Sequence, residues 1–99
     1  MELNLNQTFM DANYETITFD EKPLTLRDVL RRALLADFED EKNLSGEIKQ
    51  DRWDLAYRIK NAGDTITFKI EELTEIKRIV SKAYGTIIVG QARHMLEGS

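Results

Sequence analysis

Leu3, Leu5 and Phe9 stand at odd positions against polar Asn4, Asn6 and Thr8, a period of two that predicts a β-strand over residues 2–10. The alternation resumes in Thr16-Ile17-Thr18-Phe19, with Ile17 and Phe19 on one side, so residues 14–19 form a second strand. Between them Asp11-Ala12-Asn13 is turn-prone, and Asn13 tolerates a positive φ. The two segments therefore read as an N-terminal β-hairpin with one face towards a core. Asp20-Glu21-Lys22-Pro23 is a connector, because Pro23 has no amide to give to a central strand.

From Thr25 the period lengthens to that of a helix. Thr25 with Asp28 makes a shortened capping box, and Leu26, Val29, Leu30, Ala33 and Leu34 form the buried stripe of a helix that fades near Phe38. A second helix is marked from Ser45 to Ala62. Ser45 is its cap, and Gly63 can take the left-handed conformation that closes its end. On it Ile48, Leu55, Ala56, Ile59 and Ala62 share the stripe expected to enter the core. Trp53 and Tyr57 form a separate i, i+4 aromatic stripe roughly 140° away, which reads first as the second covered face of a central helix and otherwise as a contact surface. Thr65-Ile66-Thr67-Phe68 is a third short strand. A third helix then runs from Ile70 to Tyr84, with Glu71 and Glu72 at its start and Lys77, Arg78 and Lys82 towards its end, as the helix dipole favours. Gly85 ends it and Thr86 caps a last helix, Ile87–Leu96. Gly90 inside that helix implies a close approach by a neighbouring element.

Thr16-Ile17-Thr18-Phe19 recurs as Thr65-Ile66-Thr67-Phe68, and Leu24-Thr25 as Leu73-Thr74. The echo is read as convergent use of a good strand segment more readily than as duplication, and it supports one small three-stranded sheet covered on one face by helices. The expectation is a single α+β domain over residues 1–99, in the order β-β-α-α-β-α-α, with Gly98-Ser99 an appended remnant.

Composition narrows the function classes. A net charge of -4 with 14 basic residues dispersed among 18 acids disfavours direct nucleic-acid binding. No run of 18 apolar residues exists to span a membrane, and the first residues lack the pattern of a signal peptide. The absence of cysteine excludes disulfides and thiolate metal sites and fits a reducing cytoplasm.

Candidate chemistry is sparse. His94 is the single histidine, so no zinc pair forms. A nucleophilic serine would have to be Ser45, a cap, or Ser81, on a charged helix. Asp37, Glu39, Asp40 and Glu41 crowd one interhelical stretch without the spacing of a calcium loop, and read as a solvated loop with Phe38 as its anchor. Asp51 and Asp54 read as surface carboxylates paired with Arg52 and Arg58. No cofactor, metal site or catalytic residue is implied, and the chain does not read as an enzyme.

Asp40-Glu41-Lys42-Asn43-Leu44-Ser45-Gly46-Glu47, Leu55-Ala56-Tyr57-Arg58-Ile59, Lys82-Ala83-Tyr84-Gly85 and Val89-Gly90-Gln91-Ala92 together resemble a group of small proteins encoded by tailed bacteriophages and prophages. The resemblance spans roughly residues 24–97 and supplies a context, not a mechanism. Lys69-Ile70 departs from it where a capping serine is typical, and Arg93 where an aromatic is typical.

The functional expectation is a cytoplasmic, phage-type accessory or regulatory protein that binds a protein of host or phage, through Trp53, Tyr57, Arg52 and Arg58. A homo-oligomer built on the same stripe or on a strand edge is compatible with this. The alternative is a structural or assembly component of a phage particle.

Overall fold

The computed structural model describes residues 2–97, so the expectation about Gly98-Ser99 lies outside the described residues. The α+β class and the element order are as the sequence predicts. Four strands, β1 (Leu3–Asn4), β2 (Thr18–Phe19), β3 (Lys22–Pro23) and β4 (Thr65–Ile66), accompany four helices. The helices are α1 (Leu26–Leu35), α2 (Gly46–Asn61), α3 (Ile70–Ala83) and α4 (Thr86–Glu97), with a short 3-10 turn at Glu39–Glu41. None of the helices among the described residues is long and apolar enough to cross a membrane.

The strands do not merge into one three-stranded sheet, and the two echoing segments do not meet. β1 pairs antiparallel with β4, Leu3 opposite Ile66, while β2 pairs with β3, Thr18 opposite Pro23. The second pair is a two-residue hairpin in which Asp20 and Glu21 both have positive φ, 50° and 66°, as a type I′ turn requires. Local closure of so short a loop costs little chain entropy, and Pro23 does no harm in an isolated pair. The predicted connector is thus itself a hairpin.

The N-terminal hairpin is present but brief, with one bridge between Met10 and Thr16 and an Ile17 amide donating to Phe9 O at 2.8 Å. Its turn puts the positive φ on Tyr14, at 61°, and not on Asn13. Asp11 organises the turn, its carboxylate accepting from the amides of Asn13 and Glu15 at 2.8 and 3.1 Å. Leu3, Leu5 and Phe9 are buried as the alternation predicts; Phe19 is exposed instead, with the Arg32 guanidinium 3.6 Å from its ring centre.

α1 packs against both α2 and α3, and α3 carries α4. The core gathers the α1 stripe with Phe9, Ile59, Ile76, Ile79, Val80 and Leu96. Thr25 caps α1 as predicted, its hydroxyl accepting from the Asp28 amide while Asp28 accepts from the Thr25 amide. Ser45 Oγ likewise accepts from the Ile48 amide to start α2. At Lys69 only half of such a box exists. Glu72 accepts from the Lys69 amide at 2.9 Å, but Lys69 has no side-chain acceptor to return.

The far end of α2 is closed differently from the expectation. Gly63 is not left-handed; the guanidinium of Arg27, on α1, donates to the carbonyls of Ile59, Lys60, Ala62 and Gly63. A cation with several fixed donors satisfies carbonyls that the helix leaves unpaired and favours the negative end of its dipole. α4 is fastened by Gln91. Its amide accepts from the Met10 amide at 2.9 Å and donates to Met10 O at 2.7 Å, as a strand neighbour would. Gly90 has open space around it, with nothing within 4 Å of a Cβ built there, so no packing in this chain demands glycine.

Candidate protein-contact surface

α2 buries Arg52, Ala56 and Ile59, with Leu55 and Ala62 half-buried. Ile48, expected on the buried stripe, is exposed. The aromatic stripe faces outward, Trp53 being 57% and Tyr57 61% exposed. A covered second face is therefore not what this chain provides for them.

The two aromatics border different grooves. Trp53 lines a groove of about 380 Å³ between the end of α1 and the start of α2, together with Leu34, Leu35, Phe38, Leu44, Lys42 and Lys49. Tyr57 borders a shallower hollow towards β4, with Asp54, Arg58, Asn61, Ala62, Ile66 and Thr67. Leu35 is exposed on the wall of the first groove. Sequence reasoning passed over Leu35 and Leu44, although Leu35 lies about 180° around α1 from Leu26 and could have been noticed as an off-stripe leucine.

Arg52 stands at the wall of the first groove but offers almost no free surface to a partner. It is buried, in a two-point pair with Glu41 at 2.7 and 2.8 Å and a weaker contact to Glu75 at 3.3 Å. Arg78 donates to Glu75 at 2.7 Å and reaches Glu41 at 3.3 Å, and Lys82 lies 3.0 Å from Glu41 and 2.9 Å from Asp40. Hydrogen bonds from Arg52 hold the Glu41 carboxyl well below the usual carboxylate range against the cost of its burial, with Lys82 and Arg78 adding to the effect. The acidic stretch is thus only partly a solvated loop. Its last carboxylate is a buried hub that ties the 3-10 turn to α2 and α3. The failure has a plain cause: the cations that claim Glu41 lie 11, 37 and 41 residues further on, beyond the reach of local pattern. Phe38 does pack back onto the core, with Lys82 Nζ 4.8 Å from its ring centre.

Arg58 is partly available. It pairs with Glu72 at 3.0 Å and lies 5.2 Å from the Phe68 ring centre, leaving its outer edge beside Tyr57. Burial opposes ionisation of Glu72, but the Arg58 pair and the Lys69 amide prevail and lower its pKa. Asp54 takes a hydrogen bond from Gln50 at 2.9 Å and is not an ion partner of either arginine. Ser81 donates to Lys77 O at 2.9 Å, and His94 is exposed in the last turn of α4.

Among the described residues no group of three or more acidic or histidine side chains is arranged to hold a metal ion. What the arrangement can do is present a rigid aromatic ridge, mounted on a helix clamped at both ends, beside an apolar groove. No family model, curated protein or solved structure matches the chain.

Proposed function

We propose that this chain is a phage-type accessory protein that acts in the host cytoplasm by binding another protein, of host or phage, through Trp53 and Tyr57. The observation that carries the reading is the exposure of both rings on one face of α2, more than half of each open to solvent. Tryptophan and tyrosine supply large contact area for little conformational entropy and dominate the energetics of interfaces. The exposed aromatics are accompanied by apolar hollows, so a partner could bury them in depth as well as in area. The phage context rests on the resemblance of the DEKNLSG-like and VGQA-like segments.

The test is affinity purification of the tagged chain from expressing cells, beside Trp53→Ala and Tyr57→Ala. Recovery of one protein by the parent chain and its loss from both variants, at unchanged circular dichroism and urea midpoint, supports the reading. Retention of the partner, or unfolding of the variants, overturns it.

A further inference from the structure

Leu35 and Trp53 come from different helices, yet both stand exposed over one groove whose floor is the buried Leu34 and the half-buried Phe38 and Leu44. Its volume, about 380 Å³, is room for one or two large side chains. The charges around it reverse those of the whole molecule. The chain carries -4, but Glu41 and Arg52 at the groove wall are committed to each other and to α3. Lys42 and Lys49 line the same groove without an ion pair among the described residues, facing a single uncommitted carboxylate, Asp37. The surface continues past Leu35 to Arg31 and Arg32, where the neighbouring Asp28 is engaged in the α1 cap.

We propose that this groove takes an acidic segment of the partner protein, seating one large apolar side chain against Leu35, Phe38 and Trp53, with flanking carboxylates over Lys42 and Lys49. The proposal rests on the reading of Trp53 as a contact residue and adds the chemistry of what it contacts. Charge complementarity selects this occupant, since a basic or neutral segment would leave both lysines unpaired. Leu35 and Trp53 supply the desolvated centre, and the lysines the polar rim that steers approach and fixes register.

Trp53 is the only tryptophan, so its emission reports occupancy directly. The experiment is a selection of random short peptides on the immobilised full chain, followed by fluorescence titration of the most enriched synthetic peptide. The expected result is enrichment of Asp and Glu around one large apolar residue, with a shift of Trp53 emission on binding. Lys42→Glu with Lys49→Glu should weaken affinity by at least about tenfold, and added salt should weaken it too. Leu35→Asp, at an exposed position, should abolish binding while the fold persists. Enrichment without acidic bias, no selection at all, no emission change, or indifference to the charge reversal overturns the proposal. So does a sedimenting dimer that the peptide disperses. If Trp53→Ala loses the cellular partner while the lysine reversal leaves that partner bound, the acidic segment is wrong and the aromatic contact stands.

Discussion

Glu41 and Arg52 meet as a two-point ion pair, Nη1 to Oε1 at 2.7 Å and Nη2 to Oε2 at 2.8 Å, with only 8% and 7% of their side chains exposed. A planar guanidinium matches both oxygens of a carboxylate at once, which a lysine cannot do. Two buried charges in contact need not stabilise a fold by much relative to an apolar pair. Removing one of them, however, strands the other.

Glu41→Gln should therefore lower unfolding free energy by about 3 kcal/mol, read as a urea midpoint. Arg52→Met should cost a similar amount, and the double variant less than the sum of the two, because the second change removes a charge already stranded. Strict additivity would show that the two residues are not coupled as their geometry requires.

The same pair sets an acid limit. The Glu41 carboxyl is held well below its ordinary value of 4.5, first by the Arg52 hydrogen bonds, and Glu75 is lowered by Arg78. A lowered folded-state value means that the unfolded chain binds protons first, so the stabilisation is whole above about 4.5 and is lost as pH falls towards the folded value. Urea midpoints measured between neutrality and strong acid should fall below that point in the parent and fall less steeply in Glu41→Gln. Parallel slopes would assign the acid sensitivity elsewhere.

Arg27→Met should cost about 2 kcal/mol, since a charged donor to several carbonyls is withdrawn from the end of α2. Arg27→Lys should recover less than half, as an ammonium lacks the span of the fork. Hydrogen exchange at the last turn of α2 should quicken in both.

Trp53→Ala should move stability by less than about 1 kcal/mol, whereas Ile59→Ala, further along the same helix and fully buried, should cost about 3 kcal/mol. Equal losses would make Trp53 a core residue and remove it from any contact surface.

Two substitutions should stabilise. Lys69→Ser supplies the missing acceptor of the α3 capping box, for about 1 kcal/mol. Gly90→Ala meets open space in α4 and should gain up to about 1 kcal/mol from helix propensity. Thermal melts of the single and double variants check both.

Elements that depend on neighbours in sequence were legible. The α1 stripe, the Thr25 and Ser45 caps and the Leu3, Leu5, Phe9 alternation all follow from spacing and side-chain chemistry within a few residues. What escaped was long-range or indifferent to pattern. Leu3 found Ile66 and not the hairpin, Arg27 took over the closure assigned to Gly63, and Asp20-Glu21 adopted a turn usually written with asparagine and glycine. The candidate surface was half visible. An aromatic i, i+4 pair off the apolar stripe announced Trp53 and Tyr57, but the partition of charges was opaque. Nothing near Arg52 in sequence distinguishes a buried arginine from the exposed Arg58, since the deciding carboxylates sit 11 residues before it and 23 after it.

The clasp between Gln91 and Met10, with the pairing of Leu3 and Ile66, bears on the order in which the molecule can assemble. The segment from Leu3 to Met10 pairs with residues 16–27 close by in the chain, but it also takes partners from β4 and α4. The backbone of Leu5 and Gln7 can pair with Arg27 and Leu26 early, whereas Leu3 lacks its strand partner until residue 66 emerges and Met10 its clasp until residue 91 does. Such distant pairings slow folding by the chain entropy they must close. A nascent chain stalled before α4 would therefore leave Met10 unclasped and the edge beside it open to proteases and chaperones.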